Sequence, residues 1–293
     1  MIYDLVARIR YVYDPPAAAG RNLLRLLPAD LPGRQRLIAG QVTGRPAPDE
    51  RGDRADFFGN KITEMVHRLP APQTEFILRA RVERLAPADL LDLSPPLSDL
   101  ATEIEDDRSL APEAPHHFLG PSPRVPASDA ITAFARDATQ EAGTVREAVE
   151  QLGRGLHSAM TFDAEATTVD TLPDEAFADR RGVCQDFAHV MIAGLRGIGV
   201  PAGYVSGFLR TVPPPGRPRL EGADAMHAWV RAWCGADMGW IEFDPTNGCE
   251  AGDGHVVVAY GRDYDDVAPV QGVLRSAGGR RGGHSVDMRA ITG

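Results

Sequence analysis

One cysteine stands at the junction between a glycine-containing turn and an apolar helical stretch, in the run Arg181-Gly182-Val183-Cys184-Gln185-Asp186. Apolar residues then recur at helical spacing as far as Leu195, which predicts a helix with Cys184 in its first turn. Unpaired backbone N–H groups and the helix dipole favour an anion there, and therefore a thiolate. A small buried apolar residue is the other interpretation of a free cysteine, and position alone leaves both open.

Two strands further along the chain, residues 224–233 and 239–244, are predicted to form an antiparallel hairpin. With Trp233 opposite Met238, the register brings His227 opposite Asp244 on one face of the pair. A slip of one residue would move both side chains to the other face. A carboxylate bonded to one imidazole nitrogen leaves the other nitrogen free to take a thiol proton, so the hairpin favours Cys184 as a nucleophile.

Several blocks of sequence stand out in this order: Gly182-Val183-Cys184-Gln185-Asp186-Phe187-Ala188, His227-Ala228-Trp229, Gly239-Trp240 and Phe243-Asp244-Pro245-Thr246-Asn247-Gly248, with a further stretch at residues 261–269. Together these blocks resemble the bacterial transglutaminase-like superfamily. The resemblance covers residues 127–293 and implies a papain-like fold with a catalytic triad of Cys184, His227 and Asp244. The N-terminal part is similar to the smaller β-rich domain that often precedes this catalytic domain.

The order of predicted elements divides the chain into three parts. Residues 1–86 contain only strand candidates, residues 87–126 are rich in proline, and residues 127–293 contain helices followed by antiparallel strands. Helices first and strands second is the α+β order. The predicted fold is therefore α+β, a papain-like (transglutaminase-like) catalytic domain in 127–293 preceded by a smaller all-β domain. The proline-rich loop at residues 212–218 is expected to overhang the cleft.

Composition and charge narrow the function classes. The chain has 293 residues, enough for two domains, and a formal net charge of −10, which argues against binding to nucleic acid or to an anionic membrane. It contains no apolar run of the roughly 20 residues that a membrane helix needs, and its start lacks the pattern of a signal peptide. Three cysteines do not suggest a disulfide framework, so a cytoplasmic protein is expected.

No metal or cofactor is predicted. The three cysteines and His227 could be imagined as a metal site, but they lack any C-x-x-C pairing. The adjacent pair His116-His117 has no further ligand at zinc-like spacing, and no EF-hand loop is present in the sequence.

The predicted activity is thiol-dependent hydrolysis of peptide or isopeptide-like amide bonds through a thioester. The backbone N–H of Cys184 is expected to bind the oxyanion, with Gln185 or Thr161 as candidates for the second donor. Transamidation of glutamine side chains is an alternative with the same triad, and a non-catalytic binding or scaffold module is a further one. The expected partner is a peptide or protein with an amide or glutamine-like group.

Overall fold

The computed structural model describes residues 1–85, 91–211, 224–275 and 279–291, so the loop expected at 212–218 lies outside the described residues. The strands are β1 (Ile2–Ala17), β2 (Ala19–Leu24), β3 (Gln35–Arg45), β4 (Glu50–Ala55), β5 (Lys61–His67), β6 (Ala71–Arg84), β7 (Thr161–Phe162), β8 (Arg181–Gly182), β9 (Ala202–Leu209), β10 (Ala225–Trp233), β11 (Trp240–Asp244), β12 (Cys249–Glu250), β13 (His255–Gly261), β14 (Val270–Arg275) and β15 (Gly279–Ile291). The helices are α1 (Leu97–Asp106), a 3-10 turn (Pro115–Phe118), α2 (Asp129–Ala138), α3 (Val145–Ala159), α4 (Pro173–Asp179), α5 (Cys184–Gly197) and α6 (Tyr264–Val267).

The six strands β1–β6 and their connecting loops make up residues 2–84, and this segment contains no helix, which confirms the β-rich N-terminal region. They contribute to two antiparallel four-stranded sheets, in the orders β15-β1-β6-β3 and β14-β2-β5-β4. Alternate residues of β1 are buried, among them Tyr3, Leu5, Ala7 and Ile9, because successive side chains of a strand point to opposite faces. One face of β1 therefore builds the core of this module.

The last two strands, β14 and β15, are located differently from the expectation. The sequence assigned them to the strands of the catalytic domain, but β14 pairs with β2 and β15 pairs with β1 along 13 residues. The N-terminal strands have hydrogen-bonding edges that need partners, and the sequence of a strand does not encode which distant strand it joins. The division of the chain at residues 86 and 126 stays a prediction.

The second half of the chain has an antiparallel sheet of five strands in the order β12-β11-β10-β9-β13, against which α5 packs. Residues Val190, Met191, Ile192 and Leu195 of α5 are fully buried. Helices α2 and α3 pack against α5 and begin at side-chain caps: the Ile131 N–H donates to Ser128 Oγ, and the Glu147 N–H donates to the Thr144 hydroxyl.

Two amide side chains join the N-terminal module to the edge strand β13. Gln35 donates to the carbonyl of Val257 at 2.8 Å and accepts from its N–H at 2.9 Å. Asn60 makes the same pair of bonds to Tyr260, both at 2.8 Å. Each amide replaces the two hydrogen bonds that a neighbouring strand would make, so the module is held against the five-stranded sheet.

The helices are short or polar in the part of the chain that the structure describes, and none has the length and apolar character to cross a membrane.

Candidate active site

The N-terminus of α5 carries Cys184 and is capped from within. Asp186 accepts the backbone N–H of Val183 at 2.7 Å and the hydroxyl of Thr167 at 2.6 Å through the same oxygen. A Cβ at Gly182 would lie 2.6 Å from that carboxylate oxygen, so only glycine permits this cap. The prediction that Cys184 occupies the first turn of a helix is confirmed, and Asp186 is the residue that fixes the turn.

The imidazole of His227, on β10, contacts the carboxylate of Asp244, at the end of β11. His227 Nε2 lies 2.7 Å from Asp244 Oδ2, and both side chains are buried. The structure thus brings together the histidine and the aspartate that the sequence predicted as neighbours. Since Nε2 is occupied by the carboxylate, Nδ1 is the ring nitrogen left for Cys184.

The hairpin register differs from the predicted one by two residues. Trp233 pairs with Trp240 instead of Met238, because the turn is longer: the Cys234 N–H donates to the Gly239 carbonyl, and Gly239 has φ of 71°. A shift of two residues keeps every side chain on its face. His227 therefore still faces Asp244, although it reaches the carboxylate diagonally along the sheet instead of from the directly opposite position.

Asp244 is fully buried and accepts five hydrogen bonds. Its Oδ1 accepts the backbone N–H groups of Thr246 and Asn247 at 3.0 and 3.2 Å, and its Oδ2 accepts from His227, from the Asn247 amide at 2.6 Å and from His255 at 3.0 Å. Burial raises the pKa of this carboxyl, but the bonds from His227 and His255 outweigh burial and hold the pKa of Asp244 well below its usual range. Asp244 is therefore a fixed negative charge.

The protonated form of His227 is stabilised by its two partners. Burial lowers the pKa of the imidazole, but its hydrogen bonds to Asp244 and to the Cys184 side chain raise the pKa of His227 to about 10. Cys184 and His227 line the same cleft, and Asp244 is bonded to the His227 ring, so the structure brings together all three residues predicted for the site.

Cys184 and His227 lie on the wall of a cleft of about 330 Å³. Both halves of the molecule form this cleft: β1 contributes Ile9 and Tyr11, and β15 contributes residues 282–284. Tyr204 of β9 also faces it, and burial together with the nearby Cys184 keeps the pKa of its hydroxyl well above the ordinary value. The N-terminal module is thus one wall of the cleft.

The two candidates for the second oxyanion donor have different positions. Gln185 lines the cleft, but its amide Nε2 donates to the carbonyl of Val169 at 3.1 Å. Thr161 lies exposed on β7 and does not line the cleft among the residues described. The backbone N–H of Cys184 makes no hydrogen bond within residues 1–85, 91–211, 224–275 and 279–291, so it can donate into the cleft.

Sequence reasoning missed His255, at the start of β13. Together with His227 and Asp244 it forms a group whose possible metal-ligand atoms lie within 4.8 Å of one another. The chain has 8 histidines, and no spacing signal distinguishes His255 from the others. A second buried histidine, His189 on α5, accepts the Tyr264 N–H at 3.2 Å, and burial lowers its pKa to about 4, so it is a structural acceptor.

A cysteine at a helix N-terminus, set against a histidine on an antiparallel sheet, is the arrangement of papain-like thiol proteins. The family model of the transglutaminase-like superfamily matches residues 132–245, and that of the bacterial transglutaminase-like N-terminal region matches residues 3–83. An uncharacterized protein of Mycobacterium tuberculosis is 34% identical over 255 residues, covering 82% of this chain and 77% of that protein. The chain belongs to the transglutaminase-like superfamily.

Other relatives are similar over different extents. An uncharacterized protein of Mycobacterium leprae is 32% identical and covers 92% of this chain and 91% of that protein. A protein-glutamine gamma-glutamyltransferase of Pseudomonas aeruginosa is 36% identical over 89 residues, 30% of this chain and 13% of that protein. The crystal structure of a candidate cysteine protease from Cytophaga hutchinsonii superposes with a TM-score of 0.74 at 20% identity and covers 100% of this chain and 91% of that one. This likeness confirms the predicted fold class.

Proposed function

We propose that this protein is a thiol-dependent hydrolase of peptide or isopeptide-like amide bonds, with Cys184, His227 and Asp244 as its catalytic triad. The observation that carries the proposal is that Cys184 and His227 line one cleft and that Asp244 Oδ2 lies 2.7 Å from Nε2 of the His227 ring. The raised pKa of His227 supports transfer of the thiol proton to the ring, which gives a resting pair of thiolate and imidazolium.

In the first half of the proposed reaction, the Cys184 sulfur forms a bond to the carbonyl carbon of the substrate, and the carbonyl oxygen takes up the displaced electron pair. The free N–H of Cys184 donates to this oxyanion. As the C–N bond breaks, the leaving nitrogen takes a proton from His227. The products of this half are a free amine, a thioester on Cys184 and a neutral imidazole held by Asp244.

In the second half, water attacks the thioester carbon while the neutral His227 ring takes one of its protons. The C–S bond then breaks, the carboxylic acid leaves, and the thiolate–imidazolium pair is restored. A primary amine in place of water would give a new amide. This second candidate, transamidation, is supported by the similarity over 89 residues to a protein-glutamine gamma-glutamyltransferase.

The choice between water and amine can be measured with an activated ester, p-nitrophenyl acetate, which needs no knowledge of the natural substrate. We expect acetyl-Cys184 to form and then to yield mostly acetate, even with excess glycinamide, because hydrolysis is the proposed reaction. Mass spectrometry of the intact chain and of the products gives both results.

The Cys184→Ser chain corrects for aminolysis without enzyme in that assay. N-acetylglycinamide as the main product would assign the protein as an acyl transferase. The assay covers pH values from about 5 to about 9, and an ordinary thiol begins to ionise near the upper limit. If no acetyl-Cys184 forms at any of these pH values, both enzymatic proposals fail and the scaffold alternative is favoured.

The substrate position in the cleft can be tested at Gly283, a cleft residue where an added Cβ meets no atom within 4 Å. Gly283→Trp should slow the reaction of Cys184 with a peptide-sized iodoacetyl reagent by about tenfold, about 1.4 kcal/mol in activation free energy, because the indole ring occupies space in the cleft. Reaction with small iodoacetamide should change little. The matched control is Gly52→Trp on β4, which is equally unobstructed; equal slowing of both reagents would argue against a substrate path along β15.

A further inference from the structure

Asp244 Oδ2 accepts hydrogen bonds from two imidazoles, only one of which has a place in the proposed triad. His227 Nε2 lies 2.7 Å away and His255 Nε2 lies 3.0 Å away. The rings are 6.1 Å apart between centroids, and Trp229 packs edge-on against His255 at 5.2 Å. Both histidines are buried, so His255 is confined by packing as well as by its hydrogen bonds.

The backbone determines which nitrogen of His255 carries the proton. The Gly252 N–H donates to His255 Nδ1 at 3.1 Å, so Nδ1 presents its lone pair. In a neutral imidazole the hydrogen is then on Nε2, and Nε2 is a donor. The Gly252 N–H and the Asp244 carboxylate thus select the same tautomer from opposite ends of the ring.

This tautomer argues against a metal site at His227, Asp244 and His255. A metal bound at His255 Nε2 would need the hydrogen on Nδ1, where it would meet the Gly252 N–H. The distances of 2.7 and 3.0 Å from the two ring nitrogens to one carboxylate oxygen are those of charge-assisted hydrogen bonds. The donor set therefore fits a hydrogen-bonded row of histidine, aspartate and histidine.

We infer that His255 is a positioning residue for the triad: its Nε2–H holds the Asp244 carboxylate in the orientation in which Oδ2 meets His227. It also supplies a donor that keeps the carboxylate charged in a buried site, and that charge in turn stabilises the imidazolium beside Cys184. His255 does not line the cleft and has no contact with substrate in this role. The inference rests on the proposed function of Cys184, His227 and Asp244.

The test is the pH dependence of Cys184 alkylation by iodoacetamide, followed at each cysteine by mass spectrometry. His255→Phe keeps a planar ring but removes the donor, and should lower the rate on the low-pH limb of the profile by about tenfold. The low-pH limb of the profile should move up by about one unit, because the charge that stabilises the imidazolium is held less well. His255→Gln restores an N–H group near the position of Nε2 and should stay within about threefold of the parent chain.

His67→Phe is the matched control, because His67 is also buried and bonds one carbonyl, that of Pro46, in the N-terminal module. Its pH profile should equal that of the parent chain. If the phenylalanine ring prevents folding, His255→Asn replaces it, since the shorter amide does not span to Asp244.

The inference is overturned if His255→Phe leaves the pH profile of Cys184 alkylation unchanged. It is also overturned if His255→Gln lowers the alkylation rate as much as His255→Phe does while the midpoint of the pH profile stays at its parent value. Failure of the triad itself gives a different result. Cys184 of the parent chain would then react slowly at low pH, and His227→Ala would react at the same slow rate. That result would overturn the proposed function and this inference together.

Discussion

The Cys184→Ser variant is expected to lose acylation by p-nitrophenyl acetate by about a thousandfold or more, the size of effect seen when a triad nucleophile is removed. A serine hydroxyl must lose its proton during the attack, whereas the proposed thiolate–imidazolium pair already supplies the attacking anion.

The control for this variant is Cys249→Ser, the same substitution at an exposed cysteine. Release of p-nitrophenol and the mass of the acetylated chain are the two measurements. A Cys184→Ser chain that retains one tenth of the parent rate would show that another group accepts the acetyl, and the assignment of the nucleophile would be wrong.

The His227→Ala variant is expected to slow alkylation of Cys184 at pH 6 by about a hundredfold. Without the imidazolium, a thiol with an ordinary pKa of about 8.5 is less than about 1% ionised at that pH. The raised pKa of His227 also sets the direction of the pH dependence. The imidazolium persists below the folded-state pKa of about 10 and is lost as pH rises through it.

The other two cysteines act as internal references in the same alkylation measurement. Burial raises the pKa of Cys234, and burial together with the charge of Asp244 raises the pKa of Cys249. Both should therefore react slowly below pH 8, although Cys249 is exposed. If Cys249 reacts as fast as Cys184 at pH 6, exposure and not activation governs the rates, and the proposed thiolate–imidazolium pair is contradicted.

The imidazolium also contributes to stability over a defined range of pH. A group whose pKa is higher in the folded state than in the unfolded chain stabilises the fold below its unfolded pKa, and this contribution disappears as pH rises through the folded value. For His227 the loss lies between about 6.5 and the folded-state pKa of about 10. Asp244 has the opposite dependence, since its lowered pKa makes its contribution disappear in acid.

Local sequence signals were sufficient for the elements that carry the site. The glycine turn and the apolar spacing after it predicted α5, with Cys184 in its first turn. These signals act within one or two turns of a helix, so the chain carries them wherever it is placed.

The alternation of β10 and β11 was sufficient to place His227 and Asp244 on one face, but not to set their register. The sequence predicted a short turn with Trp233 opposite Met238. In the structure the turn includes Gly239, which has a positive φ, so the turn is longer and Trp233 pairs with Trp240, two residues further on. The contact survived this error because the side-chain period of a strand is two. An error of one residue would have separated the pair.

The amino-acid sequence by itself determined the cysteine helix, the histidine–aspartate hairpin and the α+β order, because each depends on residues close together in the chain. Only the tertiary structure decided that β14 and β15 join the N-terminal sheets, that β1 and β15 form a wall of the cleft, and that His255 donates to Asp244. Each of these contacts joins separate elements of the chain, and a local sequence pattern does not specify which other element is contacted. They form because backbone edges and a buried carboxylate must find hydrogen-bond partners once the chain is folded.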